Sequence, residues 1–400
     1  MEQWKEIRLE DACTALSDGL HKAPKFSLNG DYIFVNAKNI QYGFIVDNDP
    51  MKKSTYEEYV KYASPLNDTT ILYSIDGTIG NVALYRGEKC ILGKGACYIN
   101  PNPKIIDRQF LYYYLQSDVF QRYIDKMSTG STIKHISLKT MRNFILTYPS
   151  ISTQQRIVDI LSSIDKKIAL NRKINSNLEE QAKALFKSWF IDFEPFKGGK
   201  FVDSELGKIP EGWEVVTIGD VTENIKDKVG DRDNIKVLSP ITSGQLVLSE
   251  DYFSKQVFSN SIAKYIVVKH NDFAYNPARI NIGSIGMNEF DFDGCVSPVY
   301  VVFRCQKGYE YFFDLYRKTT FFTEEVKKRA IGGVRQTLSY KDLSLIQLVY
   351  PPKKVVENFN SIFISLLHTI HSNNVSNKKL EAIRDTLLPR LMSGEINVRL

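Results

Sequence analysis

The chain repeats itself, and this repeat limits the folds that it can adopt. When the sequence is shifted by 202 positions, residues 130–190 align with 332–392 without a gap, and 14 of the 61 pairs are identical. The identical pairs are spread along the whole segment and include Gly130 with Gly332, Ser137 with Ser339, Pro149 with Pro351, and Leu185 with Leu387. Self-similarity at a fixed spacing is the signature of a duplicated structural unit. We therefore expect two copies of one unit.

The similarity is weaker before residue 130. Two tyrosine pairs keep the same shift and one tryptophan pair needs small gaps: Tyr73 with Tyr275, Tyr98 with Tyr300, and Trp4 with Trp213. A variable reading module on a constant scaffold would leave this asymmetry. Each copy is therefore predicted to combine a variable N-terminal module with a constant C-terminal element.

Length and charge are consistent with this division. A chain of 400 residues exceeds the usual size of one hydrophobic core, so two or more domains are expected. The net charge of +6 divides into +2 for residues 1–150, +3 for 151–190, −2 for 191–350 and +3 for 351–400. A positive balance permits nucleic-acid binding. Most of it lies on the C-terminal elements, so the charge alone barely supports DNA binding by the modules.

Each copy ends in a segment with the spacing of a coiled coil. In residues 157–189 and 359–391, the seam positions recur at alternating steps of four and three residues. This spacing, sustained over more than four heptads, predicts an a/d seam. We expect the first helix to begin with a capping box at Ser152, and Pro389 to end the second helix about one turn sooner. One such stripe would also suit a helix packed on its own domain, whereas two matched stripes favour mutual pairing.

Asparagines occupy the middle of both predicted seams, at Asn171 and Asn175 and again at Asn373 and Asn377. Antiparallel pairing would bring them together, and buried seam asparagines fix the register of a coiled coil. A seam of about 32 residues would be roughly 48 Å long. The sequence thus predicts an intramolecular spacer. Two modules related by approximate two-fold symmetry could then read two half-sites of B-DNA, separated by a stretch that neither contacts.

Catalytic and metal-binding motifs are not evident in the sequence. Residues 87–95 have the wrong glycine spacing for a phosphate-binding loop. The segment from Asn276 to Arg279 lacks the second proline and the aromatic residue of an adenine methyltransferase motif. His368 and His371 have no third ligand nearby in the sequence. We predict no catalytic residue and no metal ligand in this chain.

The cysteines and the N-terminus predict a cytoplasmic protein with no membrane partner. Five cysteines without a C-x-x-C pair argue against a disulfide framework, so a reducing compartment is expected. The first residues do not resemble a signal peptide, and no apolar run approaches the ~18 residues of a membrane span.

Two loops in each copy are candidates for DNA contact. Glycines, small hydroxyl side chains and long polar side chains recur in both, and such groups contact phosphates or base edges. The candidate residues in the first copy are Ser74, Asn81, Ser131, Thr132, Lys134 and His135, and those in the second copy are Asn276, Arg279, Arg335 and Gln336. Ordinary surface turns between strands would account for the same residues, so both interpretations remain open here.

The junction between the copies resembles the specificity subunits of Type I restriction–modification systems. It reads WFIDFEPF at 189–196 and SELGKIPEGW at 204–213. The first copy is similar to the recurring family pattern G-S-T…I-S…P…Q-x-x-I, with Gly130 as its first residue and Gln154 and Ile157 as its last. The second copy departs from the pattern: Gly333 and Val334 replace Ser-Thr, and VENF at 356–359 replaces the glutamine-rich segment. The resemblance covers essentially the whole chain.

This resemblance implies an α+β fold with two target-recognition domains in tandem repeat, separated by two long helices that form an antiparallel intramolecular coiled coil. The implied domains are 1–150 and, with a linker, 193–351. The implied helices are 151–192 and 352–400, the latter with a C-terminal tail. The expected partners are double-stranded DNA, two modification (methyltransferase) subunits and, in some complexes, restriction subunits. No cofactor is expected in this chain, since S-adenosylmethionine, ATP and magnesium would be bound by the partner subunits.

Two other classes of function remain open from the sequence. The first is an enzyme, namely a stand-alone or fused nuclease or methyltransferase that carries its own recognition domains. The second is a coiled-coil assembly protein without a DNA role. Incorporation of labelled cofactor by the purified chain would favour the first, and failure of any DNA mobility shift would favour the second.

Overall fold

The computed structural model describes residues 3–46, 51–130, 134–253, 255, 258–259, 261–330 and 337–398. The chain divides into two compact units. The first joins Met1–Arg172 to Asn373–Leu400, and the second is Lys173–Ser372. Each unit therefore contains one mixed α/β module together with one half of each of two long helices.

The first unit has a four-stranded main sheet, a three-stranded second sheet and two separate pairs of strands. Its strands are β1 Lys5–Arg8, β2 Cys13–Asp18, β3 Tyr32–Val35, β4 Ile40–Gln41, β5 Phe44–Ile45, β6 Lys53–Ser54, β7 Ile71–Ser74, β8 Val82–Leu84, β9 Cys90–Leu92, β10 Ala96–Pro101 and β11 Ile145–Tyr148. Its helices are α1 Tyr56–Tyr62, α2 Arg108–Tyr114, α3 Asp118–Met127, α4 Leu138–Arg142 and the first part of α5 Ile151–Phe190. The antiparallel main sheet has the order β2-β10-β7-β8. The second sheet has the order β6-β3-β9, in which β3 and β9 are parallel.

The second unit repeats this plan. Its strands are β12 Phe201–Ser204, β13 Gly207–Pro210, β14 Glu214–Thr217, β15 Thr222–Ile225, β16 Lys236–Pro240, β17 Leu246–Leu248, β18 Ile266–Val268, β19 Phe273–Tyr275, β20 Ile285–Met287, β21 Gly294–Val296, β22 Val301–Cys305 and β23 Gln347–Tyr350. Its helices are α6 Ile218–Val221, α7 Ser249–Tyr252, α8 Glu310–Tyr316, α9 Thr320–Arg329, α10 Tyr340–Leu343 and the first part of α11 Lys353–Met392. The main sheet is β15-β22-β19-β20 and the second is β17-β16-β21-β18, with β16 and β21 parallel.

The structural repeat extends beyond the segment that aligns in the sequence. Helices α2, α3 and α5 and strand β11 are related to α8, α9, α11 and β23, respectively, by the same shift that aligns the sequence, as 310 − 108 = 202 shows for α2 and α8. Strand β1 begins at Lys5 and β14 at Glu214, a shift of 214 − 5 = 209. The difference between these two shifts corresponds to the gaps that the Trp4–Trp213 pair needs, and both tryptophans directly precede these equivalent strands.

Each unit has a core in which the module packs against its part of the long helices. In the first unit Phe110 and Phe120 share a core with Ile157 of α5 and with Leu391 and Met392 of α11. The corresponding core of the second unit combines Phe312 and Phe322 with Phe186, Phe190 and Phe359. Because these aromatic and aliphatic side chains are almost fully buried, their burial is a main source of stability in each unit.

Within each unit the two long helices run antiparallel. In the first unit, Asp165 of α5 pairs with Arg384 of α11, and Arg172 pairs with Glu381. In the second unit, Phe190 near the end of α5 packs against Phe359 near the start of α11. The α+β class, the tandem repeat and the antiparallel pairing of two long helices, all predicted from the sequence, are confirmed.

Two details of the helix ends differ from the sequence expectations. Helix α5 begins at Ile151, and Ser150, rather than Ser152, accepts the hydrogen bond from the Thr153 backbone N–H, at 3.5 Å. Helix α11 continues through Pro389 to Met392, so the expectation of an earlier end was wrong. An interior proline costs about 3 kcal/mol. Leu391 and Met392 are each 1% exposed, and burial of two such side chains at about 1.5–3 kcal/mol each offsets that cost.

Three general properties of the described residues bear on function. Their helices include none that is both long and apolar enough to cross a membrane. No group of three histidine, cysteine, aspartate or glutamate side chains lies together among them as metal ligands would. All five cysteines are free thiols, and burial raises the pKa of the Cys90 thiol to about 12.

Candidate nucleic-acid interface

The first unit brings its two candidate loops together. One loop connects β7 to β8 and the other precedes α4. The backbone N–H of Gly77 donates to the carbonyl of Lys134 at 3.0 Å, and the N–H of Ile136 donates to the carbonyl of Ile75 at 2.9 Å. Residues from two distant parts of the sequence thus form one surface.

Ser74 shapes this surface from inside. Its side chain is buried, and its hydroxyl accepts a hydrogen bond from the backbone N–H of Asn81 at 2.9 Å and donates to the carbonyl of Thr78. The hydroxyl therefore closes the loop between β7 and β8. Asn81 is partly exposed at the end of the same loop. Ser131 and Thr132 lie outside the described residues.

Two lysines and one histidine lie on or next to the joined loops, beside two carboxylates. Lys94 Nζ lies 3.8 Å and His135 Nδ1 3.9 Å from oxygens of Asp76, while Lys134 Nζ lies 3.8 Å from Asp125. The lysine side chains are 57% and 60% exposed. Exposed ion pairs of this kind contribute about 0–1 kcal/mol, so a phosphate group can replace the carboxylates at little cost. Lys94 lies between β9 and β10 and joins this surface only through the sheet, so its place here could not be predicted from the sequence.

The second unit contains the same loop contact. The N–H of Leu338 donates to the carbonyl of Pro277 at 3.1 Å. Leu338 and Pro277 are the repeat equivalents of Ile136 and Ile75, so this is the same contact in the second copy. Asn276 Oδ1 accepts a hydrogen bond from the N–H of Ala278 at 3.0 Å and so forms a local turn.

Arg279 follows this turn and is exposed. A short 3-10 helix, Ile280–Ile282, comes next and ends at Gly283, whose φ of +96° is in the region that favours glycine. The other two candidates of this unit, Arg335 and Gln336, lie outside the described residues.

Both units also place a lysine over an aromatic ring where the parallel strands of the second sheet begin. Lys89 Nζ lies 5.9 Å from the ring centre of Tyr32, and Lys236 Nζ lies 4.9 Å from that of Phe292. In the first unit the ring begins β3 and the lysine directly precedes β9. In the second unit the lysine begins β16 and the ring lies shortly before β21. Such pairs stabilise by about 0.5–1 kcal/mol when exposed. Sequence patterns cannot reveal them because the partners are neighbours only across the sheet.

The asparagines of the helices occupy different environments. Asn171 Nδ2 donates to Asn377 Oδ1 at 2.9 Å, and both side chains are buried. In the second unit Asn175 is buried, and its Nδ2 lies 3.5 Å from the carbonyl of Ile370. Asn373 is only partly buried. Their role in fixing the register stays a prediction.

The modules are attached to the helices by different side chains. In the first unit Gln154 is fully buried, accepts from the N–H of Asp107 at 2.7 Å, and donates to the carbonyls of Ile105 and Pro149 at 3.0 and 2.9 Å. The residue equivalent to Gln154 in the second unit is the apolar Val356. There the hydroxyl of Tyr309, the equivalent of Asp107, donates to the carbonyl of Pro351 at 2.9 Å. The carbonyl of the equivalent proline, Pro149 or Pro351, therefore accepts a side-chain hydrogen bond in both copies.

Comparisons with known proteins agree with this architecture. A family model described as "Type I restriction modification DNA specificity domain" matches residues 1–180. The MjaIX specificity subunit of Methanocaldococcus jannaschii is 28% identical over 82% of this chain and 78% of its own length. The HindI specificity subunit of Haemophilus influenzae is 24% identical over 99% of this chain and all of its own length.

Two solved structures share the fold. The S subunit of a Type I restriction–modification system from M. genitalium is 15% identical, with a TM-score of 0.57 over 98% of this chain and 96% of that one. A chain from a study of assembly and conformational transition in the type I R-M system is 14% identical, with a TM-score of 0.51 over 98% of both chains. In its sequence relatives and its repeated modules, the chain is similar to the specificity subunits of Type I restriction–modification systems.

Proposed function

We propose that this chain is the DNA-recognition subunit of a Type I restriction–modification complex and reads a bipartite target. The observation that carries the proposal is the repeat: each unit attaches the same module, in the same register, to paired helices. Two copies of one reader suit two half-sites, and the helices would set the number of unread base pairs between them.

The proposed partners are double-stranded DNA and two modification subunits, which the chain positions on the target. Methylation of adenine requires the base to leave the duplex stack. That chemistry, with S-adenosylmethionine, would belong to the modification subunits, and ATP and magnesium would serve a restriction subunit where one joins. The chain itself supplies recognition without catalysis, and the complex acts in the cytoplasm, where the DNA is.

The joined loops of each unit are the proposed contact surfaces. In the first unit Lys134, His135 and Lys94 are suited to phosphate contacts, and Asn81 to a base edge. In the second unit Arg279 is exposed after a turn held by Asn276, and an arginine can bond two acceptors of guanine at once. Ser74 would act indirectly, by holding the shape of its loop.

The decisive experiment is methylome mapping after co-expression of this chain with its modification subunit. We expect one split motif with a fixed unread gap, and cells that lack this chain serve as the control. Scattered or contiguous methylation would contradict the proposal. Incorporation of labelled methyl groups by the purified chain alone would instead indicate an enzyme. Failure of a DNA mobility shift with the modification subunit present would indicate an assembly protein.

A further inference from the structure

The second unit contains a cavity of about 330 Å³ that the candidate DNA-contact loops do not use. It lies between strand β17, helix α7 and the end of strand β20. Its apolar walls and its two carboxylates come from Leu248, Tyr252, Met287, Phe290, Asp251 and Glu289. The volume is in the range of sites that hold a small molecule or a large side chain.

The corresponding corner of the first unit can be identified from a shared turn. Gly43 and Gly244 have φ values of +80° and +82°, and each abuts a side chain from the helix behind it. The Tyr112 hydroxyl lies 2.8 Å from the point where a Cβ of Gly43 would be, and Arg317 Nη1 lies 3.2 Å from the same point of Gly244. The two glycines precede β5 and β17, which lie beside the edge strands β8 and β20 of the two main sheets, so the two turns occupy equivalent places.

In the first unit this corner holds an aromatic ring and a cation. Phe44 follows Gly43, and Arg86 lies two residues beyond the end of β8. The guanidinium carbon of Arg86 lies 4.1 Å from the ring centre of Phe44, and Arg86 Nη1 donates to the carbonyl of Gly43 at 2.8 Å. At this corner of the first unit, the cation that packs on the ring is therefore a residue of the unit itself.

In the second unit the same two positions carry different side chains. Gln245 follows Gly244, and Glu289 lies two residues beyond the end of β20. Both line the cavity. A carboxylate thus stands where the first unit has a guanidinium, and the ring is replaced by a shorter amide.

Two cationic side chains lie behind the cavity, and both already form ion pairs within the second unit. Arg317 and Lys318 both donate to the carboxylate of Asp314, and Arg317 also donates to the carbonyls of Gly244 and Ile285 at 2.9 Å each. Asp251 and Glu289 are therefore the charges that line the cavity itself. An arginine or lysine suits such a site, since its stem packs on apolar walls and its head reaches a carboxylate.

We propose that this cavity is a docking site for an arginine or lysine side chain, flanked by apolar residues, of a protein partner. DNA is the less suitable occupant because both carboxylates would repel its phosphates. The inference goes beyond DNA reading. It rests on the proposed function only in taking the modification subunit as the partner to be tested.

Photocrosslinking tests the occupant directly. Tyr252, which is 55% exposed, is replaced by p-benzoyl-phenylalanine in the full complex with modification subunit and DNA. We expect a crosslinked peptide of the modification subunit that contains arginine or lysine. A crosslink to DNA, a crosslink to a second copy of this chain, or no crosslink overturns the proposal.

Charge removal tests the affinity. The double variant Asp251→Asn/Glu289→Gln should bind the modification subunit about tenfold more weakly in biolayer interferometry, as expected for the loss of a charge-assisted hydrogen bond. Asp291→Asn, an exposed carboxylate that does not line the cavity, is the matched control. Thermal unfolding verifies that each variant is folded.

Unchanged affinity of the folded double variant contradicts the inference. If the wild-type complex still methylates a split motif, the proposed function stands and this inference alone fails. If the wild-type chain does not bind the modification subunit at all, both fail.

Discussion

Asn171 donates a hydrogen bond from its Nδ2 to Asn377 Oδ1 over 2.9 Å, inside the helix pair of the first unit. Among the described residues, Asn171 Oδ1 has no hydrogen-bond partner. A buried amide that is only partly satisfied lowers stability, yet a polar pair admits fewer alternative registers than an apolar seam. Removal of this asparagine pair should therefore raise the stability of the first unit and leave the register of the helices less restricted.

The double variant Asn171→Leu/Asn377→Leu is expected to raise the free energy of unfolding by about 1–3 kcal/mol, because it removes the unsatisfied amide. Its complex should methylate motifs with more than one gap length, because the register is less restricted. Denaturant unfolding and methylome mapping measure the two effects. Asn177→Leu, an exposed position on the same helix, should change neither. A single unchanged gap in the double variant would show that these asparagines do not set the register.

Deletion of one heptad from each helix tests the spacer. Residues 164–170 and 378–384 are suitable, because Asp165 and Arg384 form an ion pair between these two segments. One heptad corresponds to about 10 Å of helix, or roughly three base pairs. We expect the unread gap to shorten by about that amount, or methylation to be lost, as read by methylome mapping. A motif with its original gap would exclude the spacer role.

The variant Gln154→Val gives the first unit the valine that the second unit has at the equivalent position, Val356. Three backbone groups around Gln154 would lose their partners, so we expect the free energy of unfolding of the first unit to fall by about 1–3 kcal/mol. Denaturant unfolding measures this loss. Gln155→Ala, at the adjacent exposed position, is the control. Equal stability of the two variants would show that the buried glutamine is dispensable.

The second unit should be sensitive to acid through Asp314. Burial alone would raise the pKa of this carboxyl, but the charges of Arg317 and Lys318 hold it below its ordinary value of 3.8. Because the pKa is lower in the folded state, the contribution to stability is complete above pH 3.8 and is lost as the pH falls below it. Unfolding curves recorded from about pH 6 down to about pH 2 should show this loss.

Asp314→Asn should remove that part of the pH dependence and destabilise the second unit by about 3–5 kcal/mol, because Arg317 would keep a buried and unpaired charge. Asp291→Asn is again the control. If the variant keeps the acid sensitivity of the wild type, another carboxyl is responsible.

The proposed DNA-contact loops lead us to expect two distinct phenotypes. Lys134→Ala should weaken binding to all sequences and reduce the salt slope by about one, because a phosphate contact is lost. Arg279→Ala should relax one half of the methylated motif, at a cost of about 1–3 kcal/mol. Binding titrations at several salt concentrations and methylome mapping separate the two. Lys208→Ala, on the hairpin of β12 and β13, should change neither the binding affinity nor the methylated motif. An equal effect of this variant would show that the losses come from the reduced net charge of the protein and not from a specific contact.

The architecture could be predicted from the sequence because it depends on periodic patterns. The constant shift between the copies and the seam spacing are local properties of the chain, and both correspond to helices α5 and α11. The functional surfaces depend on contacts across the sheets, which a sequence pattern does not contain. Thus Ser74 was expected in a loop but is the buried last residue of β7, and Lys89 could not be matched with Tyr32.

The division of the chain into units also affects when the protein can fold during synthesis. The first unit requires Asn373–Leu400, yet the whole of Lys173–Ser372 is made between Arg172 and that segment. At ribosomal speeds of about 5–20 residues per second, the delay is about 10–40 s. During this time the surface that Leu391 and Met392 will cover has no partner from its own chain. The second unit, although translated later, is continuous and can be completed first.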